Sequence, residues 1–400
     1  MPPSTESMDS QEDESLFSKN NSYYQLSETN IKKYAIAKTL DTSNGKVNSL
    51  AFSNTGDHLI IGCHDDTITL FDVNRGAKSL ILNSKKYGVE KIKFTNEPSK
   101  VIYASNKVDH AIRYQSLEDN KYIRYFSGHN QQVTSLEMVT DSSDNLLPGF
   151  ISASKDMTVR LWDLKKPECI AAIDCSDQNL VNQKSTSNKK YYQPLTAIDP
   201  ENLVFAVVTT ILDQSLAELR FYDIRNYSQG PFLIYNIVIH NQAEIHKIRF
   251  SPDGKYLLLI TNLQKAYICD TVVSGVVKDF TFSSSRYKRS LSGNNSNSKY
   301  TFNPLIGNFT PDGQYLFFCR EDGSIKWFKI DDWTDIGHKW EMYGQPEMIK
   351  YPEHVNRNER SSFLKEQPFI FTDAAFNDKY AMCVMASNRG LHCWLPAIAD

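Results

Sequence analysis

The chain has 400 residues and a formal net charge of −3, with 44 lysines and arginines against 47 aspartates and glutamates. That balance argues against a protein whose affinity for nucleic acid rests on neutralising phosphates, although local basic patches stay possible. The 21 tyrosines and 21 phenylalanines against only 15 prolines suit many short strands packed face to face.

No apolar run reaches the roughly 18 residues of a membrane span and no secretory leader opens the chain, so the expectation is a soluble intracellular protein with no membrane contact. The seven cysteines are an odd number, without a Cys-x-x-Cys pair or zinc-type spacing. They read as reduced, buried, small apolar residues of a cytosolic or nuclear protein. The nearest approach to a metal cluster is Cys383, His392 and Cys393, but these alternate with apolar residues in what should be adjacent strands. No metal and no other cofactor is expected.

Residues 1–22 are rich in Ser, Asn and acid (Glu6, Asp9, Glu12, Asp13 and Glu14 against Lys19) and read as a disordered acidic tail. Lys32 to Leu40 alternates like a strand but has no preceding partner. Val47 to Gly76 reads strand–turn–strand, with Asp65 at the turn and Phe71-Asp72 at the end. From Val89 the pattern returns with Asp109 at the turn and Gln115-Ser116 closing. Gly128 to Asp163 is the fullest unit: Gly128-His129 opens it, Val133, Leu136 and Met138 alternate, Asp156 makes the turn, and Trp162-Asp163 ends it.

The opening Gly-His, the Asp seven residues before the closing Asp, and the final Trp-Asp are the marks of a WD repeat, one blade of a β-propeller, and this is the only full copy. The physical reason for the pattern is a buried polar chain. His129, Asp156, a strand serine (Ser152 or Ser154) and Trp162 can pass hydrogen bonds through a blade otherwise held by apolar contacts.

After a Gln-, Asn-, Ser- and Lys-rich insertion near 177–190, a fourth unit starts near Tyr191 and closes at Tyr222-Asp223, with Leu216 where the turn Asp would stand. The fifth, Ile245 to Asp270, carries the tight turn Ser251-Pro252-Asp253-Gly254. The sixth, from Gly307 to Ile330, repeats it and places Asp322 at the second turn. A low-complexity insertion (283–300) separates them, and a polar loop over 331–367 precedes the seventh unit. Aligning the end of each first strand gives Phe52, Phe94, Met138, Ile198, Phe250, Phe309 and Phe376. Seven copies at a period of roughly 40–45 residues predict one all-β domain, a seven-bladed WD-repeat propeller over 32–398. The orphan segment Lys32 to Leu40 should supply the outer strand of the last blade and close the ring.

Catalytic chemistry has little to stand on. Serine, His129 and Asp156 are the residue types of an acyl-transfer triad, but no nucleophile elbow or oxyanion loop accompanies any serine. No phosphate-cradling loop or kinase set appears. No enzymatic activity is expected. Lys85, Lys86, Tyr87, Lys107, Lys155 and Arg320 lie on turns and links that emerge on one face of a propeller, where they could form a surface for an acidic or phosphorylated peptide. The alternative is scattered solvated lysines. Arg286, Lys288 and Arg289 read as part of a flexible insertion or as a weak nuclear-import signal. Base-stacking aromatics beside basic residues are not evident, so direct nucleic-acid binding is not expected.

Beyond the generic pattern, Asn83–Gly88 (NSKKYG), Lys121–His129 (KYIRYFSGH), Lys155–Lys165 (KDMTVRLWDLK), Gln229–Ile234 (QGPFLI) and Phe250–Leu258 (FSPDGKYLL) resemble one family. It is the WD-repeat subunit shared by the yeast histone lysine methyltransferase complex (COMPASS) and the cleavage and polyadenylation factor. The first, second and fourth stretches exceed what any WD protein needs. The resemblance implies a non-catalytic nuclear scaffold whose partners are the methyltransferase catalytic subunit, other COMPASS subunits and cleavage and polyadenylation factor subunits, with no small-molecule substrate. The tail and the long loops depart from the pattern. Tyr222-Asp223-Ile224-Arg225 also resembles the box by which some WD proteins serve as substrate receptors of cullin-type ubiquitin ligases.

Overall fold

The computed structural model describes residues 26–42, 46–139, 149–176, 191–240, 243–273, 275–282, 305–320, 323–341, 370–388 and 390–396. The acidic tail 1–22, the insertions 177–190 and 283–300, the turn residue Asp322 and residues 342–369 lie outside the described residues.

Seven four-stranded antiparallel sheets form the blades of a propeller. Their innermost strands are Val47–Phe52, Glu90–Phe94, Val133–Met138, Tyr191–Ile198, Ile245–Phe250, Ile306–Phe309 and Phe371–Phe376. Each ends on the residue that the sequence alignment placed at the first turn. The second strand of a blade is covered on both faces by its neighbours, so it reads as continuous apolar sequence: Tyr256–Thr261 (YLLLIT) and Tyr315–Cys319 (YLFFC) are buried almost throughout. The outer strand keeps one face in water and alternates, as Cys169–Asp174 does. Between first and second strands, the Pro-Asp-Gly turns place Gly254 at φ +71° and Gly313 at φ +68°, a left-handed conformation that glycine adopts without strain. The missing turn Asp of blade four is explained by a 3-10 turn, Leu212–Gln214, joining two eight-residue strands.

Six of the seven innermost strands carry a register slip near the start of the strand, in blade two one residue nearer the strand end than in the others. The skipped positions include Asn48, Lys91, Thr134, Gln193, His246 and Thr372. A bulge turns a side chain off the regular pleat, and three of these reach the next blade's backbone. Asn48 Nδ2 donates to Val89 O (2.7 Å), Thr134 Oγ1 to Pro194 O (2.5 Å) and His246 Nε2 to Leu305 O (3.1 Å). The blades are thereby latched to one another near the axis as well as packed through apolar faces.

The ring closes through the amino-terminal strand, as its orphan pattern predicted. Tyr34–Leu40 pairs antiparallel with Gly390–Pro396, from Tyr34 opposite Pro396 to Leu40 opposite Leu391. Ile31, Tyr34 and Ile36 pack with Trp327, Phe371 and Trp394. Blade seven meets blade one where Asn377 Nδ2 donates to Gly56 O (2.8 Å) and Tyr380 Oη to Asp57 Oδ1 (2.7 Å). One expectation is corrected: the segment read as a polar loop over 331–367 contains the outer strand of blade six, Asp335–Glu341. An outer strand need bury only one face, and DIGHKWE has too few apolar residues to show a strand period.

Ile31→Ala and Ile36→Ala should each cost about 2–5 kcal/mol, since both side chains are almost wholly buried in the closing seam. Removal of residues 26–42 should replace a single cooperative urea transition by a broadened one with self-association visible in light scattering, because the Gly390–Pro396 edge is then unpaired. A sharp, unshifted transition would show that closure contributes nothing to stability.

Candidate functional site

Blade three contains the polar chain in full. Trp162 Nε1 donates to Ser152 Oγ (2.8 Å), Ser152 Oγ lies 2.8 Å from His129 Nε2, and His129 Nδ1 lies 3.0 Å from Asp156 Oδ2. An indole can only donate, so the serine proton must go on to Nε2, and the histidine must carry its own proton on Nδ1 toward the carboxylate. Burial holds His129 below its ordinary pKa, which keeps this neutral tautomer. Burial also pulls Asp156 upward, but hydrogen bonds from Thr158, Asn130 and His129 outweigh it and leave the carboxylate below its usual range. Ser154 takes a different role, donating to Gln131 O (2.9 Å). The Ser–His–Asp order matches a hydrolase triad, yet Ser152 is 0% exposed and its oxygen is wedged between indole and imidazole. No substrate carbonyl could reach it.

The face bearing the links between blades gathers five of the six residues singled out by sequence. Lys85, Lys86 and Tyr87 sit in the link from blade one to blade two, where Gly88 (φ +74°) runs so close to Asn106 that a Cβ would lie 1.7 Å from its Oδ1. Lys107 pairs with Asp66 of blade one. From Asn106 the contacts continue across the face: Asn106 Nδ2 to Glu90 Oε1 (3.0 Å), Gln132 Nε2 to Glu90 Oε2 (2.8 Å) and Lys155 Nζ to Gln132 Oε1 (2.7 Å). Arg320 lies on the same kind of turn but on blade six, across the ring, where it bonds Ser324 and approaches the Phe282 ring.

Sequence reasoning missed the centre of this region. The Arg113 guanidinium stacks 3.4 Å from the Tyr87 ring centroid, with Tyr125 at 5.0 Å and Tyr122 at 5.8 Å, and Lys86 covers Tyr87 at 4.9 Å. Arg113 is held from behind by Asp109 (2.7 Å). Aromatic rings beside cations, not evident along the chain, are therefore assembled by the fold. Tyr87 comes from the NSKKYG stretch and Tyr122 and Tyr125 from KYIRYFSGH, so two of the three specific stretches meet here. The third, QGPFLI, lies on the opposite face, where Phe232 (61% exposed) and Leu203 line a pocket of about 460 Å³. In the Tyr222–Arg225 box, Tyr222 and Ile224 are buried in the core.

The propeller axis is occupied by charge. Lys93 pairs with Glu137 (3.0 Å), Arg249 reaches the same carboxylate (3.8 Å), and Lys247 pairs with Asp373 (2.8 Å). The last two bonds span non-adjacent blades, three to five and five to seven. Burial pushes both carboxylates up, but the facing cations outweigh it and hold them below their usual range. Beside them, burial drives His246 down to about 4. Near blade seven's edge, His392, considered as a metal ligand, instead lies 2.8 Å from Ser387 Oγ and 3.4 Å from Thr39 Oγ1.

Asp156→Ala should leave His129 Nδ1–H and Asn130 N–H unpaired and cost about 1–3 kcal/mol in urea unfolding; an unchanged midpoint would remove the polar chain from the account of stability. For His246 the folded pKa lies below the ordinary 6.5. The unfolded chain therefore binds more protons between pH 6.5 and 4, and stability falls as pH drops through that window, by up to about 3 kcal/mol from this residue. His246→Asn, which copies the latch residue of blade one, should flatten that part of the stability–pH curve.

The WD domain, G-beta repeat profile matches residues 35–72 and 120–163. The chain is 32% identical to WD repeat-containing protein 82 of Drosophila melanogaster, over 75% of this chain and 83% of that protein. It is 30% identical to the COMPASS component SWD2 of Saccharomyces cerevisiae, over 75% and 82% respectively. To the Set1 complex component swd2 of Schizosaccharomyces pombe it is 34% identical, over 56% and 57%. These likenesses, on a seven-bladed frame with one complete WD polar chain, place the chain in the WD-repeat family that includes the fly protein 82 and the budding-yeast SWD2.

Proposed function

We propose that this chain is a non-catalytic scaffold subunit of a nuclear histone lysine methyltransferase complex of the COMPASS type, and that it also serves mRNA 3′-end processing and transcription termination alongside cleavage and polyadenylation factor subunits. The observation that carries the reading is the Arg113–tyrosine cluster. It is built from two stretches that resemble the shared subunit and no generic blade requires, in a chain similar to proteins named as Set1 and COMPASS components. A rigid, partly exposed aromatic platform flanked by Lys85 and Lys86, with Lys155 farther along the same face at the mouth of the axial channel, suits an extended acidic segment of a partner, with tyrosine as the anchoring residue. The third specific stretch on the opposite face supports a second partner surface, which is what membership of two assemblies would use.

Lys107 pairs with Asp66, whose side chain is 10% exposed, so it is a structural as well as a surface cation. Reversing Lys107 would set two carboxylates together in a partly buried place and perturb folding. Lys86 and Lys155 are exposed and make no ion pair among the described residues, so Lys86→Glu with Lys155→Glu should weaken partner binding through a salt-dependent association rate and leave stability nearly unchanged. Tyr125→Ala, which truncates a ring that is 46% exposed, should weaken it by about 1–2 kcal/mol independently of salt. Affinity purification with mass spectrometry identifies the assemblies, and surface plasmon resonance at two ionic strengths reads the variants. Recovery of a cullin adaptor in place of methyltransferase and processing subunits would overturn the assignment.

A further inference from the structure

The axial channel is a cavity of about 390 Å³ walled by the innermost strands. Among its described lining residues, the cations Lys91, Lys93, Lys155, Lys247 and Arg249 face the carboxylates Glu90, Glu137 and Asp373. Lys93 and Arg249 share Glu137, and Lys247 takes Asp373. Glu90 is satisfied by the amides of Asn106 and Gln132, and Lys155 stands at the mouth on Gln132. Lys91 alone of the inner cations has neither an ion pair nor a hydrogen bond among the described residues.

Two further features single it out. Its backbone sits at φ +54°, in the left-handed region that a lysine adopts only at a cost and that asparagine or glycine would enter more readily. It lies in the bulge of its strand, one residue nearer the strand end than Asn48, Thr134 and His246 in theirs, and makes no latch among the described residues. The channel wall around it carries more unused polar capacity. His246 Nδ1, Gln193 Oε1, Thr196 Oγ1 and Thr372 Oγ1 are buried without a hydrogen-bond partner. Since His246 donates from Nε2 to Leu305, its neutral ring presents Nδ1 as an acceptor. Farther along the same strand the Lys93–Glu137–Arg249 contacts cross the axis, so access to Lys91 is from the face that carries Lys155.

We propose that this end of the channel is an oxyanion-binding site, in which a carboxylate or phosphate group pairs with Lys91 and with the Thr196 and Thr372 hydroxyls, while N–H or O–H groups of the same ligand fill the lone pairs of His246 and Gln193. A strained backbone, partial burial and the lack of an ion pair or hydrogen bond among the described residues converge on a missing partner of opposite sign. An acidic side chain on an extended protein segment, and a free small phosphate compound, both present that chemistry. The site stands independently of membership in any complex.

Full-length protein is titrated with inorganic phosphate against chloride at matched ionic strength, and separately with the blocked peptide acetyl-Gly-Glu-Gly-amide against its Gln counterpart, following thermal unfolding and calorimetric binding. At least one probe should bind and raise Tm, through selective stabilisation of the folded state. Lys91→Asn, which suits the left-handed backbone and removes the cation, should weaken that binding by about tenfold or more and leave Tm in chloride unchanged or higher; Lys91→Arg should retain binding. A response to phosphate alone marks a small-molecule site, and a response to the Glu peptide a protein-segment site. Equal responses in wild type and Lys91→Asn, silence of both probes on the wild type, or a lower Tm of Lys91→Asn in chloride would each overturn the proposal, the last by making Lys91 a structural cation.

Discussion

A propeller blade is too thin to fold by itself, because its second strand is apolar on both faces and needs a neighbour on each. Closure of the ring is therefore the constraint on which the other features rest. It is met by apolar packing between all successive blades, by the strand Tyr34–Leu40 bound to Gly390–Pro396, and by the bulge latches near the axis. Burying a bulge side chain against the next blade's carbonyl satisfies a backbone group that neither sheet could reach. The first strands thus act as a hub that fixes the angle between blades, and the outer strands are left free to vary.

That division of labour accounts for what was legible in the chain. The ends of the seven first strands could be aligned from Phe52 to Phe376 because an apolar residue must plug each blade at the same height. The complete polar chain of blade three was legible because its members keep fixed spacings from His129 to Trp162. The choice between Ser152 and Ser154 was not, since both are buried and only the register, with Ser152 opposite Arg160, decides which oxygen meets the indole. The outer strand Asp335–Glu341 escaped notice for the opposite reason: with one face in water it needs few apolar residues. The Arg113 cluster and the ion pairs Glu137–Arg249 and Lys247–Asp373 join residues far apart in sequence, with no local pattern to announce them.

The distribution of charge follows from the same geometry. A ring of first strands leaves an axial channel of about 390 Å³ whose walls are polar. Ion pairs that bridge non-adjacent blades cross it, and their mutual field keeps Glu137 and Asp373 ionised despite burial. Such pairs add little net stability in general, since desolvation offsets attraction, but they do specify which blades face each other. On the outer surface the lysines of the inter-blade links are solvated, and the cluster around Arg113 gives them a fixed aromatic floor.

Pairing Tyr34 with Pro396 also sets an order of events during synthesis. The strand made first belongs to the blade made last, so at roughly 5–20 residues per second it waits on the order of 20–70 s for its partner. During that interval the nascent chain holds an incomplete arc with an exposed apolar flank at each end. The seam is thus a timing device as well as a fastening: no protein emerging from the ribosome can become a closed ring until the final strand, Gly390–Pro396, is free to receive the first.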